Sequence, residues 1–397
     1  MAAAMEPAPD STLEAKLDDL NIEGKWVQFT KDTKPEPITP EVVAVPLSSP
    51  SAATIIPPVP ELTTEQHTKY DAVLQTVKLW KEVAAKEDLG GPITEDECMW
   101  LTRECILRYL RATKWIVAEA EKRLSDTLTW RRDFGVLGLT ADHMSPENET
   151  GKQVLLGYDI AGRPCHYLNP GRQNTAPSHR QVEHLVFMVE RVLDLGLPGQ
   201  DTLALLVNFK ASKSRTNTSP GIGIAREILN ILQIHYPERL GRALIINMPW
   251  IVNGFFKLIS PFIDPMTREK LKFGGDMRSH VPPEQLWNEF QGDLVFEYDH
   301  SLYWPALQKM CEERRLAKQE RWVKAGKIIG ESEFYLKGGD APSIGGSAAH
   351  AQNGSEALAL DGNISNAVPS TTEEPENATV EPPQIVIQDA SPIKASS

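Results

Sequence analysis

The chain has 397 residues, 41% of them hydrophobic, with a formal net charge of −13 and a pI near 5.3. That balance argues against general nucleic-acid binding, because the dominant phosphate-neutralising term would be repulsive, and it gives no global attraction to an anionic membrane. Any membrane contact must therefore come from a local patch or an apolar element. No run of about 18 apolar residues is available to span a bilayer. The first ten residues lack the basic and apolar regions of a signal peptide. Cys98, Cys105, Cys165 and Cys311 show no C-x-x-C spacing, so reduced thiols in a cytoplasmic protein are expected, without metal or disulfide. Cys98 and Cys105, seven apart, are expected on one helix face.

Residues 1–61 are expected to be a disordered extension, since prolines at 35, 37, 40, 46, 50, 57, 58 and 60 disfavour helix and leave little to pack. Helical periodicity begins with Tyr70, Val73, Leu74, Val77 and Trp80. It continues through Trp100, Leu101, Ile106, Leu107 and Leu110, then Ala120, Leu124, Leu128 and Phe134. Residues 62–135 thus read as a small helical lobe.

From Lys152 the pattern changes. Two short strand-like runs, 153–158 and 164–168, bracket the turn Asp159-Ile160-Ala161-Gly162. An amphipathic helix is expected over 180–195, a buried strand over 204–209, a helix over 222–234 and another strand over 243–248. Strands alternating with helices make residues 136–300 an α/β lobe with a mixed, partly parallel sheet. A charged helix near 304–327, within a segment 301–334, closes the fold. Residues 335–397 are expected to be a disordered acidic tail.

No catalytic signature is present: G-x-S-x-G, H-E-x-x-H and a P-loop lysine are all missing. Gly221-Ile222-Gly223 lacks the third glycine of a dinucleotide fingerprint, Arg226 standing in its place. His235, beside Tyr236, reads as a packed residue rather than a base. More informative is the stretch 250–263, where Trp250, Phe255, Phe256, Leu258, Ile259 and Phe262 help cover nearly the whole circumference of a helix. Such a helix is either central core or a lid between an apolar cavity and a lipid phase. Asp264-Pro265 then resembles a capped helix start that brings Thr267 and Lys270 onto one face, a setting suited to a phosphate.

The motifs Leu107-Arg108-Tyr109-Leu110-Arg111-Ala112-Thr113-Lys114, Trp130-Arg131-Arg132, His235-Tyr236-Pro237-Glu238-Arg239-Leu240-Gly241 and Pro261-Phe262-Ile263-Asp264-Pro265 occur in the order found in the CRAL-TRIO lipid-transfer family, which the chain resembles over roughly 62–330. Gly171-Arg172-Gln173-Asn174-Thr175 and Tyr303-Trp304-Pro305 are most similar to the fungal phosphatidylinositol transfer proteins of the pleiotropic drug resistance subgroup. The resemblance implies a non-enzymatic carrier with no cofactor, its α/β lobe enclosing an apolar lipid pocket closed by a gate helix at 250–263. It implies a headgroup held by Glu238, Thr267 and Lys270, with Lys114 contributing. An ion pair of Glu238 with Arg239 or Arg242 is the alternative for that carboxylate. Thr113 departs from relatives with Ala-Arg-Lys at this point, and Ser212-Lys213-Ser214-Arg215 departs from choline-lipid binders. The implied partners are phosphatidylinositol, transient membranes such as endoplasmic reticulum, lipid droplets or cell periphery, and phosphatidylinositol kinases. Sterol is a second ligand, with a link to azole tolerance. A sterol carrier and a membrane-adaptor scaffold are the competing functions.

Overall fold

The structure is a computed structural model and describes residues 42–211, 222–249, 254, 263 and 265–345. All the elements below belong to the unit that ends at Ile344. Helix α1 (Thr64–Leu79) opens on a capping box in which Thr63 and Gln66 satisfy each other's end groups. A two-residue hairpin, β1 (Glu82–Val83) with β2 (Gly91–Pro92), leads to α2 (Glu95–Trp100), α3 (Arg103–Ala112) and α4 (Val117–Phe134). Tyr70, Val73, Leu101, Cys105, Ile106, Leu110, Leu124 and Leu128 form the buried core of this lobe. The two cysteines do not share a helix. Thr102 accepts from the Cys105 amide and starts α3 afresh, leaving Cys98 half-buried on α2 and Cys105 fully buried on α3.

Helix α5 (Ala141–Asn148) precedes the sheet, whose strands are β3 (Gln153–Tyr158), β4 (Pro164–Leu168), β5 (Leu203–Asn208), β6 (Leu240–Ile246) and β7 (Leu271–Phe273), in that spatial order. β3 and β4 are antiparallel, and the three following pairs are parallel. The fold is therefore the expected mixed α/β type. The hairpin turn is local chemistry: Asp159 Oδ1 accepts from the Ala161 and Arg163 amides at 2.8 and 2.9 Å. Gly162 takes φ +74°, which a side chain rarely adopts. Helices α6 (Arg180–Asp194) and α7 (Ile222–His235) are the parallel crossovers. Short α8 (Pro265–Lys270) runs into β7, and α9 (His300–Lys324) and α10 (Glu333–Leu336) follow. Leu155, Tyr167, Leu206 and Leu244 of the sheet pack with Phe187, Trp287, Phe290, Tyr303 and Leu307. Val186, Val189, Ile231 and Tyr236 meet Trp130 and Phe134 at the junction with the helical lobe.

Both expected ends move. Residues 42–61 are not an unpacked extension but a strap across the α/β lobe. Val43 exchanges backbone bonds with Val295 and Glu297 at 2.9 and 3.0 Å, Arg314 Nη2 donates to the Ser48 carbonyl at 2.8 Å, and Ile55 N donates to the Ile160 carbonyl at 3.0 Å. Prolines suit such a strap because it needs few donors. At the other end, Leu336 is buried, and Ser343 Oγ and Ile344 N donate to the Glu331 carboxylate at 2.6 and 3.0 Å. Truncation after Gly345 is therefore expected to leave the melting temperature unchanged. Truncation after Gly338 removes these two bonds to the buried Glu331 carboxylate, which keeps the Ser332 amide at 2.8 Å, and should lower stability by about 1–3 kcal/mol. Equal melting curves for the two truncated chains would contradict this boundary.

Candidate functional site

Charged side chains collect at one edge of the sheet. The parallel strands β4, β5, β6 and β7 all begin there, and just before them stand Asp159 and Arg163, Asp201, Glu238 and Lys270. Leu203 pairs with Leu240 and Ala243 with Leu271, so Asp201 neighbours Glu238, and Lys270 lies beside Arg242. The His235–Arg239 segment makes the turn from α7 into β6. His235 stacks on Trp130 with ring centroids 4.2 Å apart, and its Nδ1 lies 3.1 Å from Thr127 Oγ1. Burial, then the Arg123 charge, lowers its pKa to about 4, so it is a neutral packing group at pH 7. Tyr236 is buried and donates to Glu190 at 2.7 Å. Glu238 follows with φ +58°, a left-handed position that costs a non-glycine residue roughly 1–2 kcal/mol.

The Glu238 carboxylate does have a cationic partner, and it is neither Arg239 nor Arg242. Arg111 Nε donates to Glu238 Oε2 at 2.5 Å, while Arg111 Nη2 is 3.6 Å from Asp201 Oδ2. Arg239 instead donates to the Asp201 carbonyl at 2.8 Å, and Arg242 Nη1 approaches Asp159 at 4.0 Å. Arg111 is the residue that sequence reasoning missed. It lies three positions after Arg108 on α3, and that i, i+3 spacing of two arginines was the available signal. Thr113 turns its hydroxyl back onto the Tyr109 and Leu110 carbonyls, at 2.9 and 3.2 Å, and is spent on the helix end. Lys114 follows with φ +52° and is exposed in the turn between α3 and α4.

Thr267 and Lys270 are both half-buried and lie one turn apart on α8. α8 has only six residues, and Asp264, the expected cap, lies outside the described residues. Lys270 borders a depression of about 340 Å³ lined also by Gly241, Arg242, Glu269 and Lys272. The structure thus sets Glu238 and Lys270 on one sheet edge, Glu238 beside Arg111 and Lys270 beside Arg242. Trp250, Phe255, Phe256, Leu258, Ile259 and Phe262, the expected gate, lie outside the described residues. No group of three metal-ligating side chains is found among the described residues, and none of their helices is long and apolar enough to cross a membrane.

A carboxylate and cations at one end of the strands have the chemistry to take the hydroxyls and phosphate of a polar group. The sequence matches the CRAL/TRIO N-terminal domain over residues 69–126 and the CRAL/TRIO domain over 148–292. The chain belongs to the CRAL-TRIO family of lipid-transfer proteins, which bind lipid ligands, need no cofactor and are not enzymes. It is 57% identical over 281 residues to a CRAL-TRIO domain-containing protein of Schizosaccharomyces pombe, a match covering 70% of this chain and 28% of that protein. It is 41% identical over 306 residues to the phosphatidylinositol transfer protein PDR17 of Saccharomyces cerevisiae, covering 72% of this chain and 86% of that one. A SEC14 cytosolic factor of Kluyveromyces lactis is 27% identical over 247 residues, covering 56% and 82%.

Proposed function

We propose that this chain binds one phosphatidylinositol molecule and transfers it between membranes, so supplying phosphatidylinositol kinases with substrate. The observation that carries the reading is that Glu238 and Lys270 stand before neighbouring parallel strands, with Thr267 one turn from Lys270. In this reading Glu238 accepts from inositol hydroxyls, Lys270 and Thr267 take the phosphodiester, and exposed Lys114 contributes charge at the rim. Arg111 orients the Glu238 carboxylate until the ligand arrives. A relative named for phosphatidylinositol transfer, covered over most of its length, supports the same ligand.

The apolar stretch 250–263 serves as the gate. Aspartate at Phe255, Phe256, Leu258 or Ile259 should then divide into two classes: positions that unfold the chain, and positions that leave it folded but weaken vesicle binding. If melting temperature falls at all four, the stretch is core and the lipid enters elsewhere.

The direct test is transfer of labelled lipid from donor to acceptor vesicles. Phosphatidylinositol should move, and phosphatidylcholine should move far less. Transfer of sterol alone would favour a sterol carrier, and membrane binding without transfer would favour an adaptor.

A further inference from the structure

The strap across the α/β lobe carries Ser48, Ser49 and Ser51, and their surroundings differ. Ser51 is half-buried and occupied: its hydroxyl donates to Glu284 and accepts from the Ala53 amide at 3.2 Å. Ser48 and Ser49 are exposed, and only Ser49 precedes a proline. The Pro50 ring disfavours a helical residue before it and so keeps Ser49 extended, the form in which a kinase cleft takes its substrate. The cation beside this point has no carboxylate. Arg314 Nη2 on α9 donates to the Ser48 carbonyl at 2.8 Å, and the guanidinium reaches Tyr158 Oη and the Leu195 carbonyl, each at 3.4 Å. All three acceptors are neutral, whereas neighbouring Arg315 pairs with Asp194 at 2.9 Å. A half-buried guanidinium bound only to neutral oxygens keeps charge for an anion. Its Nη2 already touches the peptide group that joins Ser48 to Ser49, which brings a phosphate on Ser49 Oγ within reach. The opposing charge is Glu284, exposed and set against Ser51, two residues further along, where solvent and salt screen it more.

We propose that Ser49 is a phosphorylation site for a proline-directed protein kinase and that Arg314 receives the phosphate, fastening the strap to the α/β lobe. In the transfer, Ser49 Oγ attacks the γ-phosphorus of ATP and its proton passes to the base of the kinase. The bond from that phosphorus to the bridging oxygen breaks, and ADP leaves with the electron pair. The phosphoserine carries close to two negative charges at pH 7 and replaces a neutral contact of Arg314 with a charge-assisted one. The strap is where such a change has leverage. Leu47 packs on the core of the α/β lobe, Val43 is bonded to Val295 and Glu297, and Ile55 is bonded to the β3–β4 turn at Ile160. The tie at Ser49 itself is long, with Gln285 Nε2 3.4 Å from its carbonyl, so this is the stretch of the strap that a phosphate can tighten. The inference is independent of which lipid the chain carries.

The test treats the full chain with ATP and a proline-directed kinase of the mitogen-activated type, locates phosphate by mass spectrometry and compares melting temperatures before and after. Wild type should carry phosphate on Ser49 and melt about 2 °C higher. Ser49→Ala should show no rise, which separates this site from Thr39-Pro40, Ser145-Pro146, Ser219-Pro220, Ser260-Pro261 and Ser391-Pro392 elsewhere in the chain. Arg314→Gln should still be phosphorylated on Ser49 without the rise. Each variant is compared with its own untreated form, so any loss of stability from the substitution itself drops out. Absence of phosphate from Ser49 would overturn the site. An unchanged melting temperature in phosphorylated wild type, or an equal rise in Arg314→Gln, would overturn the role of Arg314. A fall in wild type would show that repulsion from Glu284 governs, and it would overturn the fastening.

Discussion

Lys270→Ala is expected to lower phosphatidylinositol transfer between vesicles about ten- to a hundredfold, a loss of roughly 1.5–3 kcal/mol for one charge-assisted contact. The ammonium ends α8 one residue before β7, held by the β6–β7 pairing, so its place is fixed by the sheet and not by a loop. It is half-buried at the border of the depression, and its removal empties no packed core. The melting temperature should consequently change little. Glu238→Ala should reduce transfer comparably. Both residues carry a Cβ, so the substitution adds no strain at φ +58°, and Arg111 keeps Asp201 within 3.6 Å. Sterol uptake should survive both changes, since a sterol has no phosphate to lose. Normal transfer by both single variants would remove the headgroup assignment.

The largest effect on stability is expected from Glu333→Ala, at about 3–5 kcal/mol, the usual cost of removing one partner from a buried ion pair. Glu333 binds three parts of the chain at once. Its Oε1 accepts from Arg108 at 3.0 and 3.1 Å and from Thr102 at 2.8 Å, its Oε2 pairs with Lys337 at 3.1 Å, and Arg239 is 3.8 Å away. Arg108 is only 3% exposed, so without Glu333 its charge depends on Asp201 at 3.5 Å.

Burial alone would raise the Glu333 carboxyl, but Arg108, Lys337 and Arg239 outweigh it and hold the group well below the carboxylate range. A depressed carboxylate stabilises above its unfolded value of 4.5, and that contribution is lost as the pH falls through the folded value. Glu190, where burial is outweighed chiefly by Arg131 and the pKa falls to about 2, behaves alike. Together they predict acid destabilisation between about pH 4.5 and 2. Glu104 works in the other direction, because burial and then the Glu333 charge push it up, and deleting Glu333 relieves part of that cost. Thermal unfolding of Glu333→Ala at neutral pH checks the argument, and an unchanged melting temperature would show that the network does not hold the lobes together.

What was legible in the sequence was what local chemistry decides. The Asp159–Gly162 turn, the amphipathic α6 and the apolar β5 and β6 carry their structure in neighbouring residues, and each was found within two or three positions. The strap over residues 42–61 was not legible. Its bonds run from Val43 to Val295 and from Ile55 to Ile160, across separations that no window of sequence contains, while its prolines imitate an unpacked tail. The same holds at the C-terminal end, where Ser343 is secured by Glu331. Cys98 and Cys105 misled because seven-residue spacing suggests one helix, whereas Thr102 can cap as readily as it can continue.

Glu238, Thr267, Lys270 and Lys114 came from motif order; Glu238 and Lys270 stand just before neighbouring strands, and Lys114 lies apart in the turn between α3 and α4. Arg111 came only with the fold, as did the place of Arg242 beside Lys270 and Asp159 instead of Glu238. Their relevance depends on β6 lying between β5 and β7, which no motif encodes.

The central claim is that the chain carries phosphatidylinositol, and mass spectrometry of lipid that co-purifies with the full chain tests it most directly. The account predicts phosphatidylinositol in the wild-type protein and its loss from Lys270→Ala. Wild-type protein that carries only sterol or phosphatidylcholine would contradict it.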